Sequence, residues 1–242
     1  MDLKKIEQEQ ETLHLAVPML KALYGDFEID RNQVDRPDAA IVLADGRRIG
    51  IEITSLDPSS DKQYMNDESY GADAKAAQAR RMERREPLLP RPLKKAVVTI
   101  TPDYLARAAL AKAHKHAQYL GQGSYSDIVL LTKSDYLTLP CPELTTFYAP
   151  MASHLLGQAD FPFAKVIFVC DRDAILVYDR SSAPTPKPDD SLDPHMFVEH
   201  SITMVGNSQS SNFMAEPLTP KRTPPKKKRK PRESKKRESK RP

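Results

Sequence analysis

Polar and apolar positions alternate most cleanly between residues 38 and 54. The apolar run 39 to 44, the turn Asp45-Gly46 and the segment Ile49-Gly50-Ile51-Glu52-Ile53-Thr54 predict two antiparallel strands. Asp-Gly tolerates the positive φ that a tight hairpin turn needs. In the second strand Ile49, Ile51 and Ile53 share one face, and Gly50, Glu52 and Thr54 take the other. Asp38 precedes the first strand's apolar run, which brings it towards the level of Glu52 or Thr54 on the neighbouring strand.

The remaining elements follow from the same reading. Leu3, Ile6, Leu13, Val17, Leu20 and Tyr24 recur at helical spacing, and Pro18 is expected to kink or restart that helix. Phe27-Glu28-Ile29 predicts a short strand, 57 to 71 a polar loop, and 72 to 86 a second helix with Ala72, Ala76 and Ala79 on one face. Residues 96 to 100 predict a buried strand, parallel to its neighbour after a crossover. Residues 104 to 120 predict a third helix with Ala106, Ala109, Leu110, Ala113, Ala117 and Leu120 on one side and the ridge Lys112, Lys115, Tyr119 opposite. Strands are expected at 127 to 132, 165 to 170, 174 to 179 and 196 to 205, the middle two joined as a hairpin through Asp171-Arg172-Asp173.

Two carboxylates converging beside an open sheet end suit a hard divalent cation and phosphate ester chemistry. Pro37-Asp38, a hairpin, then Glu52-Ile53-Thr54 resembles the PD-(D/E)XK nuclease superfamily, whose sites carry Pro-Asp, a hairpin, then acid-x-Lys. The resemblance implies that Asp38 and Glu52 hold Mg²⁺ (or Mn²⁺), with the backbone carbonyl of Ile53 as third ligand. Thr54 stands where that family usually has lysine, so Thr54 is left to hydrogen-bond the attacking water or a phosphate oxygen. Lys75 on the second helix is the candidate for a relocated lysine, with Lys62 on the loop as the weaker one. The first helix of such domains often donates an accessory acid, a role open to Glu7 or Glu11; a solvated helix face is the alternative. The loop after the acid-bearing strand either closes over substrate or is a surface insertion.

Charge adds a second clue. Residues 221 to 242 hold 13 Lys plus Arg against two Glu, a net of plus 11 in a chain whose total is plus 4, so the body is acidic. A polycationic arm without apolar anchors is expected to be disordered and to supply affinity for a polyanion. Its run Lys226, Lys227, Lys228, Arg229, Lys230 reads either as a nuclear-import signal or as a phosphate-contacting arm. The start of the sequence carries no secretory pattern and no apolar run approaches a membrane span, so an intracellular protein is expected, cytoplasmic in a bacterial or phage setting and nuclear in a eukaryotic one. Cys141 and Cys170 are too few and too far apart for a zinc knuckle, and no disulfide is expected. No Walker loop, nucleotide-binding glycine fingerprint, His-Glu-x-x-His or Gly-x-Ser-x-Gly occurs.

These observations predict an α/β fold, a mixed sheet flanked by helices, which the resemblance implies is restriction-endonuclease-like over 1 to 205, with a core to about 135, strands added over 136 to 205, a Pro-rich linker at 181 to 194, and a disordered basic tail from 206 to 242. The expected function is a metal-dependent nuclease acting on nucleic acid, DNA above all, with a homodimer where both strands are cut. The alternative is a non-catalytic nucleic-acid-binding or adaptor protein on the same fold.

Overall fold

The computed structural model describes residues 3–30, 32–33, 36–67, 69–88, 93–122, 125–137, 142–170, 173–202 and 213–214. The basic run Lys226 to Lys230, Cys141, and the whole segment expected to form the arm beyond 214 lie outside them.

A mixed six-stranded sheet is flanked by helices on both faces. It begins with an antiparallel meander: β1 (Phe27–Ile29), β2 (Ala39–Leu43) and β3 (Arg48–Ser55), with Gly46 of the β2–β3 turn at φ 84°. A crossover leads to β5 (Asp127–Lys133), parallel to β3. Strand β6 (Lys165–Val169) is parallel to β5, and β7 (Ala174–Asp179) turns back antiparallel. The order β1-β2-β3-β5-β6-β7 therefore includes three strands from the C-terminal half.

Helix α1 (Leu3–Tyr24) covers one face, where Leu13, Ala16 and Leu20 meet Ile49, Ile51, Ile53, Val129 and Leu131. The helix is not restarted at Pro18 but runs through it as one element. The proline sits on the exposed side, and Ala16 and Leu20, either side of it, are fully buried and hold the turn in place. The other face carries α4 (Tyr104–Lys112), α5 (His116–Gln122) and α6 (Ala149–Gln158), with Leu105, Ala109, Tyr148 and Leu156 packed over Ile128, Leu130, Val166 and Phe168. Helix α6, entered through a π-helical turn at Leu144–Tyr148, stands where only added strands were expected. Thr185 of the Pro-rich segment packs on it, its hydroxyl 2.7 Å from Ser153 Oγ and its carbonyl 3.0 Å from His154 Nδ1.

Three further expectations are corrected. The polar stretch after β3 contains a helix, α2 (Ser59–Asn66), whose last carbonyls are capped by the buried ammonium of Lys94; it reaches the oxygens of Tyr64 and Met65 at 2.8 and 3.0 Å and also that of Asp67. Helix α3 (Ala72–Glu83) follows it. Strand β4 (Lys94–Thr99) does not join the main sheet: it pairs antiparallel with β8 (Phe197–Ile202) in a small sheet completed by β9 (Phe213–Met214). Val97 is 55 % exposed, so the run is half-buried, and its apolar composition hid the alternation. Finally, the expected helix over 104 to 120 is broken by a 3₁₀ turn at Ala113–Lys115.

Candidate active site

A cavity of about 520 Å³ opens at the C-terminal ends of β3 and β5, where β2 begins. In sheets built around parallel strands this end is where ligands bind. Asp38, Glu52, Ile53 and Thr54 all line it.

Asp38 is fixed by the backbone of the next strand. The β2–β3 ladder ends at Ala39 and Ile51, and the following outward amide, Ile53 N–H, donates to Asp38 Oδ2 at 2.7 Å. A residue's N–H and C=O leave a strand on the same side. The carbonyl of Ile53 therefore projects from the same unpaired edge as the carboxylate it helps to hold. Behind Asp38, Pro37 rests on Gly50: a Cβ there would lie 2.8 Å from Pro37 Cγ and 2.6 Å from Ile128 Cδ1. Gly50 is required by close approach. Gln33 braces the same turn, donating from Nε2 to the Pro37 carbonyl at 2.9 Å and accepting from Tyr125 Oη at 2.6 Å.

Glu52 points to the α4–α5 side, and its side chain is only 5 % exposed, so it is not a solvated surface acid. Lys112 Nζ, at the end of α4, donates to Glu52 Oε1 at 2.6 Å. Tyr119 of α5 is buried beside them. Burial first, then hydrogen bonding to Glu52 and the charges of Glu52 and Asp38, pushes its phenol above the ordinary range, so it stays protonated and able to donate.

Five cations (Arg36, Lys62, Lys112, Lys115, Lys133) line the cavity against three acids (Glu9, Asp38, Glu52). Lys62 is held by two carboxylates, Asp57 Oδ2 at 3.3 Å and Asp135 Oδ2 at 3.1 Å. Asp57 is itself fully enclosed, accepting from Tyr104 Oη (2.7 Å), Ser134 Oγ (2.6 Å) and Asp135 N–H (2.9 Å). This buried hub ties the end of β3 to the end of β5.

The residues expected from sequence are thus partly gathered. Asp38, Glu52, Ile53 and Thr54 share the cavity, and Lys62 reaches it from α2. Lys75 is exposed on α3 and does not line the cavity; the lysine brought to Glu52 is Lys112, because α4 packs against β3 and β5. Glu7 and Glu11 are both exposed, and α1 presents Gln8 and Glu9 to the cavity instead; Glu11 borders a smaller adjoining groove of about 210 Å³. The readable signal for Lys112 was the ridge Lys112, Lys115, Tyr119, all of which line the cavity. Cys170 is a buried free thiol. Among the described residues no helix is long and apolar enough to cross a membrane, and no group of three or more His, Cys, Asp or Glu is placed to hold a metal.

No family model matches this chain, and neither does any curated protein or solved structure.

Proposed function

We propose that the protein is a metal-dependent nuclease of the restriction-endonuclease-like class, hydrolysing phosphodiester bonds in nucleic acid. The observation that carries this reading is the convergence of Asp38, Glu52 and the Lys112 ammonium in one cavity at the end of the parallel strands. The chain order α1, the meander β1 to β3, a helical crossover and the parallel strand β5 supports it as the core such nucleases share. The excess of cations over acids around the cavity suits an anionic diester.

The donor set fits a small hard cation. Mg²⁺ is commonly held by one or two carboxylates, with water and substrate phosphate oxygens completing its shell, so two carboxylates and a carbonyl suffice. Asp38, Glu52 and the carbonyl of Ile53 would hold Mg²⁺ or Mn²⁺, which when bound supplies polarisation of the scissile phosphate and a lower pKa for the attacking water. The protein's own groups do the rest. Ile53 N–H fixes the Asp38 carboxylate, and Tyr119 orients Glu52. Lys112 delivers from a helix the cationic stabilisation of developing charge that Thr54 lacks on the strand. Thr54 offers its hydroxyl to a phosphate oxygen or to the water.

The test is cleavage of plasmid and single-stranded DNA by the full chain with Mg²⁺, Mn²⁺ or EDTA, beside Asp38→Ala, Glu52→Ala and Lys112→Ala. Metal-dependent cutting abolished in the first two variants and strongly reduced in the third is expected. Full cutting by Asp38→Ala would sink the mechanism. No cutting by the wild type, with metal-independent binding that vanishes on removal of residues 219–242, would assign the protein to the non-catalytic nucleic-acid-binding alternative.

A further inference from the structure

The mechanism above leaves three cavity lysines unused, Lys62, Lys115 and Lys133. Lys133 is the last residue of β5, register partner of Ser55, and sits where the main cavity meets the smaller groove beside Cys170. Its side chain is half-buried, yet its ammonium makes no hydrogen bond or ion pair among the described residues. Burial first, and the neighbouring charge of Lys62 as well, lowers its pKa, although Asp135 and Glu11 act in the opposite sense. An ammonium withdrawn from water without a partner is a net cost to the fold. Lys62 lies on the same side and is fastened by Asp57 and Asp135, so a second cation is held rigidly nearby.

We infer that Lys133 and Lys62 form a phosphate-binding subsite beside the Asp38–Glu52 pair, which takes the phosphodiester next to the scissile one. The second clause rests on the nuclease reading; the first does not. Two cations at the sheet end satisfy a dianionic or diester oxygen set, and a bound phosphate supplies the partner that Lys133 lacks. The Asp57 hub gives the subsite its rigidity, since Lys62 is anchored before ligand arrives.

The experiment is a titration of the full chain with inorganic phosphate in EDTA and physiological salt, followed by the backbone amide resonances of Ser55, Leu56 and Ser134. Site-resolved signals separate the cavity from the basic arm. Saturable shifts are expected in the wild type, with the midpoint raised about tenfold in Lys133→Met and in Lys62→Met, the loss of one charged hydrogen bond. Methionine retains the packing of the lysine stem, so Lys133→Met should fold with an unchanged or higher Tm. Shifts that never saturate, or a midpoint unchanged in Lys133→Met, would overturn the subsite. The titration involves neither metal nor cleavage, so an inactive wild type would refute the nuclease reading while leaving this result standing. With active protein, Lys133→Met should raise KM for oligonucleotides about tenfold with kcat little changed; a fall in kcat alone would overturn the binding role.

Discussion

Lys112 Nζ lies 2.6 Å from Glu52 Oε1, joining residues sixty positions apart, and the carboxylate side chain is 5 % exposed against 23 % for the lysine. Removing one member of a buried pair strands the other, at a cost of about 3 kcal/mol. In EDTA, Lys112→Met should therefore lower the urea midpoint markedly. A divalent cation offers Glu52 a replacement partner, so Mn²⁺ should bind the variant more tightly than the wild type and restore much of its stability. Calorimetric titration with Mn²⁺ checks this. Equal or weaker binding by Lys112→Met would mean that lysine and cation do not share Glu52.

Gly50 transmits packing to the site. A methyl group at this position would lie 2.8 Å from Pro37 Cγ and 2.6 Å from Ile128 Cδ1, and Pro37 immediately precedes Asp38. Gly50→Ala should destabilise by about 1–3 kcal/mol through overpacking. It should also displace Asp38 and so lower cleavage at temperatures where the variant remains folded. Thermal unfolding and cleavage rate read the two effects separately, and full activity in a destabilised Gly50→Ala would show that Pro37 yields without moving Asp38.

The hairpin was legible because Asp45-Gly46 and the period of two act within a few residues, and β5, β6 and β7 because their apolar runs are buried on both faces of the sheet. Lys112 was harder. As one unbroken helix, 104 to 120 puts Leu110, Ala113, Ala117 and Leu120 on the core side, but α4 turns Leu105, Ala106 and Ala109 inward and leaves Leu110 37 % exposed, and beyond the 3₁₀ turn at Ala113–Lys115 α5 runs in a new phase, with Leu120 40 % exposed and Tyr119 buried. Helix α2 was hidden for another reason: its polar sequence is held by Lys94, thirty residues from Tyr64, whose carbonyl it caps. Such tertiary partners have no local signature.

Asp57 should behave as structural support for Lys62 rather than as a reacting group. Asp57→Asn keeps the shape but exchanges an acceptor oxygen for an NH₂ that faces donors, among Tyr104 Oη, Ser134 Oγ and Asp135 N–H. A loss of about 2–3 kcal/mol is expected from the mismatched buried groups, together with weaker phosphate binding because Lys62 loses one of its two carboxylates. Denaturant unfolding gives the first and the phosphate titration the second. Unaltered stability would mean that the loop rearranges around the amide.

His116 makes acid sensitivity testable. Its Nε2 is buried with no partner among the described residues, and its ring lies 5.1 Å from that of Phe163. Burial first, then the charge of Arg180, holds its pKa below the ordinary 6.5. The unfolded chain then binds a proton that the folded chain resists, so stability from this group is intact above pH 6.5 and is lost as pH falls from there through the lower, folded-state value. His116→Phe removes both the titration and the unpaired nitrogen. Urea midpoints measured from pH 7.5 to 5 should fall less steeply in the variant, and because the carboxylates are common to both proteins the difference between the curves isolates His116. Parallel curves would mean that His116 protonates as readily in the folded chain as in the unfolded one.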